Sequence, residues 1–268
     1  MTFSIVAWDP ATQMTGVAVA TKHLAVGALV PHVKSGVGAI ATQGQTNPLL
    51  GIAGLRMLEQ RTIRASSVSE IPVQDVVNLL MQDDEDREQR QLHLVDHHGH
   101  TAAWTGSQCV GWAGHLTFPN ISVAGNMLAG EDVLVAMADA YISNDGMEFC
   151  DRLLHALEAG DAAGGDKRGR QSAGMYVMHH DEYPHLDLRV DHHDDPISTL
   201  RLLFTESRQE YYQSFRQTMP RSRSHSVEAL WQKALFNSAQ STSPMSKASL
   251  NLSMSPMVTP ADGSVSHS

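Results

Sequence analysis

The chain of 268 residues carries 29 acidic and 19 basic side chains, and its formal net charge is −10 at pH 7. Phosphate backbones repel an acidic surface, so the composition excludes nucleic acid as the main partner. Hydrophobic residues make up 42% of the chain, which is enough for one large or two small domains. No apolar run approaches the roughly 18 residues of a membrane span.

The N-terminal segment and the cysteines indicate the compartment. No basic stretch precedes an apolar one near the N-terminus, as a secretory signal would require. Cys109 and Cys150 do not make a disulfide framework or a zinc site. We therefore expect a cytoplasmic protein with free, buried thiols.

The first third of the chain reads as strands followed by helices. Residues 3–8 and 15–21 are apolar, β-favouring runs joined by turn residues, which predicts a hairpin. Residues 36–42 form another short strand, and a turn from Gln43 leads to Asn47 and Pro48. Asn followed by Pro is typical of a helix N-cap and first helical position. Helical periodicity then covers two segments, residues 49–61 and 73–81.

The rest of the body repeats this order. A second hairpin is predicted around the turn at residues 97–100. Further strands and helices follow, namely strand 121–128, helices 131–142 and 147–159, strands 171–178 and 186–190, and a long helix from 196 to about 215. Runs of strands followed by runs of helices favour stacked layers over alternating βαβ units.

The composition divides the chain near residue 215. Residues 1–215 hold 27 of the acidic and 14 of the basic side chains, whereas residues 216–268 carry a small positive excess. Ser, Pro, Met and Thr dominate residues 238–268, as is typical of disordered segments. Within this tail, apolar residues at helical spacing predict a short amphipathic helix near residues 226–236.

Thr2 is the most informative residue of the chain. Removal of Met1 would leave a threonine whose α-amine and hydroxyl lie on adjacent carbons, and such a pair can serve as base and nucleophile. An α-amine has a pKa of about 7.7–8.0, so part of it is neutral at cellular pH. The alternative is that Thr2 only opens a β-strand.

Several longer segments resemble a largely bacterial family known as domain of unknown function 1028 (DUF1028), which is placed among the N-terminal-nucleophile (Ntn) hydrolases. The resemblance spans residues 2 to about 205 and rests on segments at 2–7, 24–27, 36–43, 47–48, 90–92, 105–106, 112–114, 125–130, 163–173 and 187–191. It implies an α+β fold, the four-layer αββα sandwich in which two packed, mainly antiparallel sheets are covered by helices. It also implies amide hydrolysis through an acyl-enzyme on Thr2, without a cofactor.

Residues near the predicted position of Thr2 could assist it. Lys22 ends the second strand and would lie at the same end of the sheet as Thr2, where an ammonium lowers the pKa of the amine; Lys34 is the rival. Gly125 and Asn126 resemble an oxyanion-binding pair. The alternatives are a solvated lysine at a strand end and an asparagine in a left-handed turn.

Two loops complete the predicted site. In the first, residues 164–172, glycines give the backbone conformational freedom and Asp166 could orient an amine. Arg168 or Arg170 could hold a substrate carboxylate there. Gln171 and Ser172 open a strand expected beside Thr2. In the second, backbone N–H groups between Gln43 and Asn47 could complete the oxyanion site. Solvated loops and simple capping by Asn47 are the alternatives.

Histidine-rich segments at 97–100, 179–180 and 191–195 contain metal-ligand residue types. Adjacent histidines in a strand point to opposite faces, so they rarely share one metal, and we expect no metal site there. The sequence thus favours an Ntn amidohydrolase acting on a small amide. It is also compatible with a homodimer. A non-catalytic Ntn-fold binding protein and, less favoured, a metal-dependent hydrolase are the alternatives.

Overall fold

The computed structural model describes residues 2–64 and 71–221. The ten strands of this part of the chain are β1 (Thr2–Trp8), β2 (Thr15–Thr21), β3 (Pro31–Lys34), β4 (Gly38–Gly44), β5 (Arg90–Asp96), β6 (Thr101–Thr105), β7 (Trp112–Phe118), β8 (Ile121–Leu128), β9 (Ser172–Met178) and β10 (Leu186–Val190). Its six α-helices are α1 (Pro48–Arg64), α2 (Val73–Gln82), α3 (Asp132–Ile142), α4 (Phe149–Ala162), α5 (Pro196–Ser207) and α6 (Glu210–Thr218).

The strands form two antiparallel sheets. The larger sheet has the order β10-β9-β2-β1-β8-β7, and the smaller one has the order β3-β4-β5-β6. The predicted hairpin of β1 and β2 is confirmed, with Thr2 opposite Thr21. On its other side β1 pairs with β8, so this strand lies in the interior of its sheet.

Apolar side chains on both faces of the central strands hold the layers together. Along β1, Phe3 and Ile5 join a cluster with residues of α3, α4 and α5. Val6 points the other way and packs with residues of the smaller sheet, because successive strand residues face opposite sides. A third cluster joins the smaller sheet to α1 and α2. The sheets therefore face each other, and helices lie on the outer face of each.

Other predicted elements are confirmed as well. The hairpin of β5 and β6 pairs as expected, and β8 and β10 have the expected bounds. Helices α1 to α4 fall within a few residues of their predicted limits.

Two strands were missed, and both lie at sheet edges. The first, β3, has only four residues and begins with Pro31, a residue that strands accept mainly at edges. The second, β7, is half-exposed along most of its length, so it lacks the apolar run that marks a buried strand. One turn was also placed too early, because Gln43 lies inside β4.

The last helix was predicted as one element to about residue 215, and this is wrong. It ends at Ser207, where the hydroxyl bonds back to the Phe204 carbonyl 2.6 Å away. After a short interruption α6 begins at Glu210 and continues to Thr218. The expected domain boundary at 215 therefore falls inside a helix. The remaining tail, 222–268, with its predicted helix near 226–236, lies outside the described residues.

Candidate functional site

Thr2 opens the central strand β1 and is 7% exposed. It lies opposite Thr21 of β2 on one side and opposite Asn126 of β8 on the other. Its hydroxyl oxygen is 3.2 Å from that of Thr21. Since Ser4 bonds to the smaller sheet, the strand alternation turns Thr2 toward the space between the sheets.

A layer of buried amides fills the space next to Thr2. Gln91 of β5 accepts two hydrogen bonds on its Oε1, from Gln43 at 2.8 Å and from Asn126 at 3.1 Å. Its Nε2 lies within hydrogen-bonding distance of the Gly125 and Gly114 carbonyls, at 2.9 and 3.0 Å. These contacts orient the Asn126 amide: its nitrogen faces Gln91, and one of its two hydrogens is used there.

A second arm of the layer fixes a histidine. Ser4 donates its only hydrogen to Gln43 at 2.7 Å, so it can only accept from His93, whose Nε2 is 2.8 Å away. The hydrogen of a neutral His93 therefore sits on Nε2, and Nδ1 accepts from Ser122 at 3.1 Å. Burial, together with the charge of His115, lowers the pKa of His93 to about 3.

The neutral state of His93 predicts how stability depends on pH. Unfolded chains protonate histidine near pH 6.5, whereas the folded protein does so only near pH 3. The unfolded state thus binds more protons between these values, and stability falls as the pH drops, by up to about 1.4 kcal/mol per unit from this residue. We expect His93→Gln to weaken this dependence in urea unfolding between pH 7.5 and 5.

The control for that experiment is the exposed His192→Gln. It should leave the pH dependence as in the unmodified protein. An unchanged slope in His93→Gln would contradict the assignment of His93 as a buried, neutral side chain.

Asp166 closes the end of the larger sheet beside Thr2. Its Oδ2 accepts the Lys22 N–H at 2.7 Å, one residue beyond Thr21. Its backbone bridges Leu128, two residues beyond Asn126. Both strands that flank β1 are thus tied to Asp166 just beyond the residues that pair with Thr2.

One of the two lysines, Lys22, lies where it was expected. Lys22 does lie at the same end of the sheet as Thr2, but its ammonium donates to the Arg170 carbonyl at 2.9 Å. Lys34 pairs with Glu59 at 2.6 Å. It lies opposite Gly38, at the end of β4 remote from Gln43, about 16 Å away along the strand. The contacts therefore assign neither ammonium to Thr2.

The arginines of the loop at 163–171 are held by neighbouring carboxylates. Arg168 is 3.3 Å from the Asp166 carboxylate, and Arg170 is 2.7 Å from that of Asp161. These hydrogen bonds and charges raise the pKa of Arg170. Both side chains are nearly half-exposed and therefore accessible from solvent. Their binding of a substrate carboxylate stays a prediction.

The other predicted residues hold the chain in place. The Gln171 N–H donates to the Thr21 carbonyl at 3.0 Å. Buried Ser172 accepts from the Val26 N–H at 3.1 Å and also donates to the His23 carbonyl. Asn47 caps α1 through the Leu49 N–H, as predicted, while its amide nitrogen bonds Asp84 at 2.9 Å. Asn47 thus links the start of α1 to the acidic turn that follows α2.

Sequence reasoning missed Gln91, His93 and Ser4 as parts of this site. Part of the signal was present, since Ser4 and His93 each stand between two apolar residues of a buried strand. A polar side chain in such a run must find a buried partner. Which partners those are depends on the packing of the two sheets.

The histidine-rich segments do not assemble a metal site among the described residues. A different trio, Glu148, Cys150 and His185, brings its ligand atoms within 4.8 Å of one another. None of the helices in the described part of the chain has the length and apolar character to cross a bilayer.

Comparisons with known proteins agree with the fold. Residues 2–200 match DUF1028, a family of unknown function. The chain is also similar to the crystal structure of a DUF1028 protein from Silicibacter pomeroyi, with 35% identity and a TM-score of 0.74 over 82% of this chain and 95% of that chain. No curated protein matches the chain. Because the matched residues run through all ten strands of the two sheets, the chain belongs to the DUF1028 family.

Proposed function

We propose that the protein is an Ntn amidohydrolase that cleaves a small amide through Thr2, after Met1 has been removed. One observation carries the proposal. Thr2 is the first residue of a central strand, between Thr21 and Asn126, with Asp166 across the end of that strand. The layered arrangement of two facing sheets with outer helices supports the αββα sandwich of this superfamily.

The proposed reaction begins at the Thr2 hydroxyl. The neutral α-amine takes the hydroxyl proton as the oxygen attacks the amide carbonyl carbon. The resulting ammonium then protonates the leaving nitrogen, and the C–N bond breaks to give an ester on Thr2. Water, deprotonated by the amine, attacks the ester and releases the acid. No metal or redox cofactor is needed for these reaction steps.

Two neighbours would assist these steps. The second hydrogen of the Asn126 amide nitrogen is available to a developing oxyanion, and Gln91 holds that nitrogen in place. The Asp166 carboxylate would orient the amine and stabilise its ammonium form. In this scheme Lys22 supports Asp166 through its main-chain N–H, and not the amine through its charge.

A second candidate function is ligand binding without catalysis on the same fold. Its support is that the Thr2 hydroxyl is buried within hydrogen-bonding distance of the Thr21 hydroxyl. A threonine with a purely structural role makes the same kind of buried hydrogen bond. We also propose that the substrate bears a carboxylate, that the protein is cytoplasmic and that it forms a homodimer.

The experiment that tests the proposal is intact-mass analysis before and after treatment with a β-lactone. Protein made from this sequence should lack Met1. Ring opening by the Thr2 hydroxyl should then add the full mass of the lactone as an ester, located by peptide mapping. Protein that keeps Met1, or that acquires no label on Thr2, would contradict catalysis and leave the binding function.

A further inference from the structure

A second site lies at the opposite end of the larger sheet. Here β2 and β9 meet at Thr15 and Met178, whereas Thr21 and Ser172 pair near Thr2. Six residues of strand separate the two ends, about 20 Å. A pocket of about 320 Å³ opens there between the β9–β10 connection and the segment from Arg208 to Arg221, which includes α6.

Guanidinium groups line the pocket, although the protein as a whole carries a net negative charge. Three of its lining residues are arginines, Arg208, Arg216 and Arg221, and two are histidines, His179 and His185. Among the described residues that line it, Asp181 alone is acidic. We refer to this site as the arginine pocket.

Two of the arginines are fixed in position. Arg216 donates to the Pro184 carbonyl at 3.0 Å and lies over the Tyr183 ring. Arg208 pairs with Glu148 and lies 4.7 Å over the Phe204 ring. A guanidinium has five N–H donors, so these contacts leave others for a ligand. Groups held in one geometry lose less entropy on binding.

The positive field inside the pocket acts on His185. Burial, followed by the charges of Arg216, His179 and Arg221, lowers the pKa of His185 to about 4. The same cations would attract an anion that entered the pocket.

A metal ion is the competing occupant, because Glu148, Cys150 and His185 converge beside this pocket. The charges around these three residues oppose the binding of a metal cation. The Glu148 carboxylate already pairs with Arg208, and burial raises the pKa of the Cys150 thiol to about 12. A divalent cation would enter the field of guanidinium groups and would have to displace one of them.

We propose that the arginine pocket binds a small oxyanion, a phosphate or carboxylate group. Arginine forks match both groups by paired hydrogen bonds. The ligand would join α6, which buries no side chain of its own, to the β9–β10 connection. This site is independent of the chemistry proposed for Thr2.

The test is calorimetric titration of the full chain with sodium phosphate and, separately, sodium succinate, at ionic strength held constant with sodium chloride. At least one titration should saturate, and the tighter of the two identifies the anion. Arg216→Ala with Arg221→Ala should weaken that binding by about tenfold or more. The matched control, Arg87→Ala with Arg189→Ala, removes the same charge elsewhere and should change it by less than about twofold.

Two further measurements distinguish a loss of anion binding from misfolding of the double variant. Arg221→Ala alone affects an exposed residue at the end of the described chain and should still weaken binding. The imidazole resonances of His179 and His185 should shift on titration. If neither anion gives saturable binding, or if both double variants weaken it equally, the pocket is not an oxyanion site.

Discussion

Thr2→Ala is expected to abolish covalent labelling by a β-lactone, and with it any amide hydrolysis. The substitution keeps the α-amine and removes only the hydroxyl that attacks the carbonyl. Without the nucleophile, only substrate binding and oxyanion stabilisation remain, so the rate should fall by at least about 10³-fold. Labelling is followed by intact mass over time and, once a substrate is found, by product release.

Thr2→Ser is the matched control for this experiment. Serine keeps both the amine and a hydroxyl, so labelling should persist at a rate closer to that of the unmodified protein. The melting temperatures of both variants establish that they are folded. Equal labelling in Thr2→Ala and in the unmodified protein would show that the reactive group lies elsewhere.

Asn126→Ala should slow labelling and turnover by about 10²–10³-fold, the effect expected for the loss of one oxyanion donor. The reason is geometric. Asn126 lies directly across from Thr2 in the paired strands, and its amide nitrogen is held at 3.1 Å from Gln91. A preorganised donor needs no rearrangement during the reaction. The loss should appear in kcat, with little change in KM.

Ser122→Ala serves as the control, because it also removes a buried hydrogen bond from β8. Its partner is His93, and its strand position lies four residues from Asn126. It should lower stability but leave the labelling rate within a few fold. A similar slowing in both variants would indicate that loss of buried packing, and not a missing oxyanion donor, explains the effect of Asn126→Ala.

The elements predicted correctly are those whose signal is local. The strands β1, β2 and β8 are rich in apolar residues and buried along nearly their whole length, and their ends are marked by turn residues. Helix α1 begins where Asn47 and Pro48 predict it. Edge strands β3 and β7 lack that signal, because a strand with one free edge and an exposed face needs neither a continuous apolar run nor freedom from proline.

The candidate site divides in the same way. The position of Thr2, the hairpin that carries it, the strand that contains Asn126 and the glycine-rich loop around Asp166 all follow from residues close together in the chain. The roles of the lysines and arginines do not. Long charged side chains can reach many partners, and the nearest partner is known only once the loops have been placed.

Local signals in the sequence are enough to predict the buried strands, most helices and the threonine that opens β1, because hydrophobic periodicity, turn residues and caps act over a few neighbouring residues. Only the tertiary structure decided that Gln43, Gln91 and Asn126 meet between the sheets. Only it directed Lys22 to Arg170 and placed Arg208, Arg216 and Arg221 in one pocket with His185. Such contacts join residues tens of positions apart, and buried polar groups accept whichever partners the packing of the layers brings within hydrogen-bonding distance.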